Sequence, residues 1–381
     1  MAIMRRKKDL KAVPVEGEIG KVLASLKKQF GDQAVVNGSK LRQPWRIPTG
    51  VFEFDYATLG GIPHDRISMV HGQKHSGKSY MADRIIMGAQ QTLPDMQAVK
   101  IDVEGTHNAE WSGKIGVDND ALLVSQPDSG EQAVDIARAL VGTREVSLVV
   151  VDSLAALVPL KEQESDADKE WVGLQSKMIT RMLRAISSQQ IIERKRGHHV
   201  TVLLINQQRT KIGGWSPTGD PISLPGGKAL GHFTTLEWRM KNKETVGKDA
   251  AGRDVLTHND HAFAIEKNKL NGGARTGEFR MIRLDDPVTG LTESEPADAT
   301  IMLSYAKMAG WYTGTPKQGY TLSFGEFSHH ASNADEMVLS LYQDREFMWA
   351  LRCHLIADNA IRQGMKEYFV NYLLTGEAVD E

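Results

Sequence analysis

Gly72-Gln73-Lys74-His75-Ser76-Gly77-Lys78-Ser79 is the stretch on which the fold turns. It matches the Walker A pattern, two glycines with four residues between them, followed by Lys-Ser. The glycines let the backbone curl so that its N–H groups and a helix N-terminus face an anion. Residues 66–71 before it are apolar and β-rich, and 79–91 after it carry helical periodicity. Strand, tight phosphate loop, helix is the local geometry this motif needs. Lys78 is expected on the β- and γ-phosphates and the Ser79 hydroxyl on Mg2+.

Working outward, the same alternation repeats. Residues 98–103, 121–125, 146–152 and 200–206 read as strands, and 130–141 and 174–192 as helices. Repeated strand and helix imply right-handed crossovers and a parallel sheet. The run Ser147-Leu148-Val149-Val150-Val151 suits a strand covered on both faces. It ends in Asp152, the acid expected to reach Mg2+ through water. Hydrolysis also needs a group to orient or deprotonate water. Glu104 follows the strand 98–103, at the edge where open α/β sheets bind ligands. The fold class expected is a P-loop ATPase core with a mostly parallel twisted sheet flanked by helices.

The 381 residues allow one large domain with appendages. A net charge of −2 means that any nucleic-acid contact rests on local clusters of positive charge. One cysteine, Cys353, excludes a disulfide framework and a multi-Cys zinc module, and fits a reducing cytoplasm. The longest apolar run, 146–160, is interrupted by Asp152, so no membrane span is expected. Arg5, Arg6, Lys7 and Lys8 are followed by no long apolar segment, which argues against a signal peptide and for a solvated tail. Residues 16–30 read as an amphipathic helix stopped by Gly31, suited to docking on the core or on a neighbouring subunit. From about 291 the texture changes, with helices expected over 335–356 and 365–374. The expected division is 1–43, an N-terminal tail and oligomerisation helix; 44–290, the ATPase core; and 291–381, a C-terminal α/β or helical domain.

Several blocks resemble RecA-type recombinases: Leu59-Gly60-Gly61-Ile62-Pro63, Ser125-Gln126-Pro127-Asp128-Ser129-Gly130-Glu131-Gln132, Val150-Val151-Asp152-Ser153-Leu154-Ala155-Ala156-Leu157, Ile205-Asn206-Gln207 and Lys267-Asn268-Lys269. They follow the family's order and spacing over about 16–285. Ala309-Gly310-Trp311-Tyr312 is similar, more weakly, to phage recombinases such as UvsX. The resemblance implies an ATP- and Mg2+-dependent DNA strand-exchange ATPase that forms helical filaments on single-stranded DNA and pairs it with homologous duplex. Single-strand-binding and mediator proteins are the accessory partners it would imply. Glu104 matches the catalytic glutamate, Gln207 the γ-phosphate sensor, and Trp111 the aromatic against adenine. Asn108 stands where an Asp usually meets the adenine amino group. Lys267 and Lys269 match cations that reach the ATP of the adjacent subunit, although their alternation alone also fits a solvated strand face.

The family's two DNA loops fall here at 162–173 and 208–228. The first is acidic but ends in Trp171 and Val172, which could wedge between bases. Lys177, Arg181 and Arg184 follow at i, i+4 and i+7 on one helix face, which also fits an ordinary solvated face. The second carries Arg209, Lys211, Trp215 and Lys228, with Gly226-Gly227 as a backbone turn onto phosphates. Basic residues with an aromatic ring suit single-stranded nucleic acid. The same composition also fits a surface loop. The rivals are a ring helicase of the same core fold and a regulatory ATPase that binds only proteins.

Overall fold

A computed structural model describes residues 17–38, 41–164, 173–210, 222–248, 254–271 and 275–376. The chain divides into two compact units, 1–43 and 44–381. Among its described residues the first holds α1 (Glu18–Phe30) and a short 3-10 turn (Asp32–Ala34). The helix is amphipathic, as its spacing predicts, and buries none of its residues.

In the second unit a two-strand ribbon, β1 (Arg46–Ile47) and β2 (Ile62–Pro63), brackets α2 (Phe52–Thr58). The core then runs β3 (Ile67–Gly72), α3 (Lys78–Thr92), β4 (Gln97–Asp102), α4 (Ala109–Ile115), β5 (Leu122–Ser125), α5 (Gly130–Val141) and β6 (Val146–Asp152). It continues with α6 (Leu160–Gln163), α7 (Leu174–Lys195), β7 (Thr201–Gln207), the short pair β8 (Arg209–Thr210) and β9 (Ile222–Ser223), and α8 (Lys228–Phe233). Three long strands close the sheet: β10 (Leu236–Lys248), β11 (Asp254–Asn268) and β12 (Thr276–Ile282). Beyond them lie α9 (Ala299–Met308), the strands β13 (Tyr312–Thr315), β14 (Gly319–Phe324) and β15 (Phe327–Ala331), and the helices α10 (Ala334–Gln343), α11 (Arg345–Arg362) and α12 (Glu367–Thr375).

The eight-stranded sheet has the order β12-β11-β10-β3-β7-β6-β4-β5. From β10 to β5 all pairings are parallel, and β10-β11-β12 is an antiparallel edge. Side chains alternate between faces with period two. Leu148 and Val150 pack under α3, with Met81, Ile85 and Ile86. Val149 and Val151 pack under α5 and α7, with Val134, Met182 and Ile186. Strands covered on both faces must be apolar throughout, which is why β6 and β7 carry the clearest sequence signals. The antiparallel edge is less apolar, so its strands carry a weaker sequence signal.

The expected single helix over 335–356 is two helices. The backbone breaks at Asp344, whose Oδ1 accepts a 2.9 Å hydrogen bond from Phe347 N and caps α11. An aspartate inside an apolar periodic run hides a cap, because both helices keep the same spacing. These C-terminal elements share a cluster with Phe52 of α2. Buried ion pairs link the same parts. Arg352 of α11 binds Asp55 of α2 and lies 3.8 Å from Asp298, whose Oδ2 accepts from Phe52 N at 2.7 Å.

Candidate functional site

Parallel strands end at one edge, so residues far apart in sequence meet there. Four consecutive neighbours, β3, β7, β6 and β4, deliver the phosphate loop, Gln207, Asp152 and Glu104 to one cleft of about 420 Å³. Lys74, His75, Ser76, Gly77, Lys78, Ser79, Trp111, Asn242, Asn259, His261 and Arg283 line the rest of what concerns the site.

The loop is shaped by sterics. Gly77 has φ 90°, and a Cβ there would stand 2.7 Å from the His261 ring. A Cβ on Gly72 would stand 2.6 Å from the Met240 carbonyl oxygen. These two positions accept only glycine. The Lys78 ammonium donates to the loop's own Gln73 carbonyl at 2.6 Å. Burial lowers its pKa, against the pull of Asp152 and Glu104. Ser76 Oγ is buried with no hydrogen-bond partner. A lysine held at the mouth of the loop, an unpaired buried hydroxyl and the exposed Ser79 fit a triphosphate with its Mg2+.

Glu104 lies just beyond β4. Its Oε1 accepts from Gln207 Nε2 at 2.7 Å and from Ser153 Oγ at 2.5 Å. The turn carrying it is fixed by Asp102, which accepts from His107 N (2.9 Å), Thr106 N (3.2 Å) and Gln126 Nε2 (3.1 Å). Burial alone would raise the Asp102 pKa, but these hydrogen bonds outweigh it and hold it below the ordinary value. Asp152 is raised, mainly by burial, while Lys100 pulls it back. Lys100 Nζ is 3.2 Å from Asp152 Oδ2 and 3.9 Å from Asp83 Oδ1, with all three side chains under 8% exposed. A lysine so buried needs such partners to stay charged.

At the other end of the cleft the Trp111 ring lies 4.9 Å from the Arg283 guanidinium. The guanidinium covers that face of the ring by cation–π attraction. Asn108 is not brought to the cleft lining. Its Oδ1 accepts from Trp111 N at 3.0 Å and caps α4. Capping is the ordinary use of Asn before a helix, and it engages the Oδ1 atom of this side chain.

Lys267 and Lys269 are also not brought to this chain's own cleft. Lys267 Nζ donates to the Gly231 carbonyl and to Thr234 Oγ1, and Lys269 Nζ to the His232 carbonyl at 3.0 Å. Both fasten the end of β11 to α8. Lys177, Arg181 and Arg184 are all exposed on one face of α7, while Met178, Ile179, Met182, Leu183 and Ile186 of the other face are buried. Trp171, Val172, Lys211 and Trp215 lie outside the described residues, as do the side chains of Arg209 and Lys228. The backbone around the second loop is described. Arg209–Thr210 pairs with Ile222–Ser223 across its base. Asn206 Nδ2 donates to the Pro225 carbonyl at 3.0 Å, and Gly226 and Gly227 turn with φ 95° and 58° into α8.

Lys100, Asp83, Ser153, His261 and Arg283 were missing from the sequence candidates. Lys100 carried a faint signal, a cation inside an otherwise apolar strand. Arg283 carried none, since only the edge strands bring it opposite Trp111.

The model of the RecA N-terminal domain family matches residues 17–285. The chain belongs to the RecA family. It is 37% identical over 265 residues to Protein RecA of Arthrobacter sp. (strain FB24), covering 68% of this chain and 71% of that one. With Protein RecA of Nocardia farcinica the identity is 37% over 265 residues, covering 68% and 72%. With that of Frankia casuarinae it is 36% over 272 residues, covering 70% and 74%. As a RecA-type recombinase the chain is a DNA-dependent ATPase that uses ATP with Mg2+. Its partners are single-stranded and duplex DNA and further copies of itself in a filament, and RecA proteins work in the cytoplasm. Among the described residues, no helix is long and apolar enough to cross a membrane. Neither the ring helicase nor the protein-binding regulator gains support from these matches.

Proposed function

We propose that this RecA-family chain catalyses strand exchange by coupling triphosphate hydrolysis at the β3–β4–β6–β7 edge to the 208–228 segment. The observation that carries this is the Gln207–Glu104 hydrogen bond. One residue holds the carboxylate that would act on water and is also the last residue before the second loop. Bound ATP with Mg2+ supplies the γ-phosphoryl group and the charge to be neutralised. Lys78 grips that charge and Ser79 and Asp152 orient toward it. Gln207 either braces Glu104 or releases it, and the loop follows through the backbone of β7.

The exposed face of Lys177, Arg181 and Arg184 tracks a polynucleotide backbone, and homology is tested by base pairing. Lys267 and Lys269, absent from their own cleft, reach the nucleotide of the adjoining protomer. Residues 1–43 serve as an oligomerisation segment, 44–290 as the ATPase core and 291–381 as a C-terminal domain. In the finer reading the chain is a phage-type member. The support for it is the block Ala309-Gly310-Trp311-Tyr312, beyond the residues matched by the family model.

D-loop formation with and without ATP tests the activity, and electron microscopy on single-stranded DNA with a slowly hydrolysed ATP analogue tests the assembly. ATP-dependent D-loops and helical filaments are expected. Closed rings, or joint molecules formed equally well without ATP, would overturn the proposal.

A further inference from the structure

A polar chain separate from the Glu104 bond crosses the sheet just behind the phosphate loop. His71 is the last residue of β3 before Gly72 and is 2% exposed. Its Nδ1 lies 2.9 Å from Gln208 Nε2, and its Nε2 lies 3.0 Å from Glu266 Oε2. An amide nitrogen only donates, so Nδ1 accepts and the ring proton sits on Nε2, donating to the carboxylate. The contacts therefore have one direction, Gln208 to His71 to Glu266. Gln208 also donates its backbone N–H to the Gly72 carbonyl at 3.1 Å.

The backbone is arranged to aim Glu266 at His71. In the β10–β11 ladder Glu237 pairs with Lys267 and Trp238 with Ile265, so Glu266 is the extra residue of a β-bulge. A bulge re-aims a side chain that regular pairing would place elsewhere. Arg239 of β10, which pairs with His71 in the sheet, lies 3.3 Å from Glu266 Oε1 and completes the chain. The carboxylate sits below its ordinary pKa, chiefly through the His71 hydrogen bond, with burial opposing. Each end touches a different functional segment. Gln208 opens the second loop, Gly72 opens the phosphate loop, and Glu266 precedes Lys267.

We propose that His71 is a positioning residue that couples the second DNA loop to the end of β11, which carries Lys267 and leads into Lys269, with Gln208 and the bulged Glu266 as its two contacts. A shift of the loop pulls on Gln208, and the imidazole transmits it to the bulge and so to the two lysines. This rests on the reading that 208–228 contacts DNA and that Lys267 serves a neighbouring protomer.

The test uses the full chain with ATP and Mg2+, with and without oligo-dT, for Glu266→Met, Glu266→Gln, Gln208→Met and the double variant Gln208→Met/Glu266→Met. Glu266→Met removes the acceptor, and its DNA-stimulated turnover should fall about tenfold, while turnover without DNA and the KM for ATP stay within twofold. Glu266→Gln keeps an acceptor oxygen and should retain at least half of the stimulation. The double variant should lose no more than the worse single one, because both cut the same chain. Thermal melting of each variant checks that it is folded. Full stimulation in Glu266→Met and Gln208→Met overturns the coupling, and so do additive losses or a parallel fall of turnover without DNA. If the unaltered protein itself shows no stimulation by oligo-dT, the DNA-loop reading fails first, and the coupling with it.

Discussion

Replacing Gln207 by methionine tests the coupling most directly, because it removes an amide and keeps the length of the side chain. Gln207 Nε2 donates to Glu104 Oε1 at 2.7 Å, and Ser153 Oγ is the other donor to that oxygen. A hydrogen bond to a charged group contributes about 1.5–3 kcal/mol. Glu104 is exposed, so water competes and the lower end applies, about 1.5 kcal/mol. If that energy is applied only in the DNA-bound state, the stimulated rate drops about tenfold. The DNA-free rate should change less than threefold, because the Ser153 bond remains. Steady-state ATP turnover at saturating oligo-dT, against the same preparation without DNA, reads the ratio. Fluorescence anisotropy of a labelled oligonucleotide confirms saturation. Should Gln207→Met keep its stimulation within twofold, or lose both rates in parallel, Gln207 is not the link between loop and carboxylate.

Gly77→Ala should abolish nucleotide binding, measured with a fluorescent ATP analogue, because it meets φ 90° and the His261 ring at once. The left-handed backbone alone costs about 1–2 kcal/mol, so an alanine variant that binds normally would refute the steric reading of the loop. Arg352→Ala leaves Asp55 and Asp298 without their buried cation and should cost about 3–5 kcal/mol in thermal or urea unfolding; a loss under 1 kcal/mol would show that the pairs do not hold the C-terminal elements to α2. Burial raises Asp298 to about 6, against the pull of Arg352. A raised folded value gives a contribution to stability that is complete below the unfolded pKa and lost as pH climbs through 6. Asp298→Asn should therefore gain on the parent by about 2 kcal/mol between pH 4.5 and 7.5, and a flat or opposite trend contradicts it. Arg181→Ala and Arg184→Ala should each flatten the log–log salt dependence of single-strand binding by about 0.7, with an unchanged slope placing that face away from DNA.

Some of this was fixed locally. The phosphate loop, Asp152 and the strands 146–152 and 200–206 were legible because a doubly covered strand must be apolar and a phosphate turn needs glycine where no Cβ fits. Glu104 was legible as a strand-end residue, Gln207 only through the resemblance, and the order of the blocks named the family. Tertiary structure alone decided the partners. The sequence does not state that β10 lies beside β3, so it gave no reason to set Arg283 against Trp111 or Glu266 against His71. Lys100 is a cation inside an apolar strand, and its meaning depends on Asp83 and Asp152 arriving from a helix and a neighbouring strand. Asp344 shows the opposite case, a side chain whose local capping bond decides where one helix ends and the next begins. Local chemistry is written in spacing, because backbone geometry repeats every two or 3.6 residues; the pairing of distant elements depends on which buried surfaces fit together, and no repeat records that.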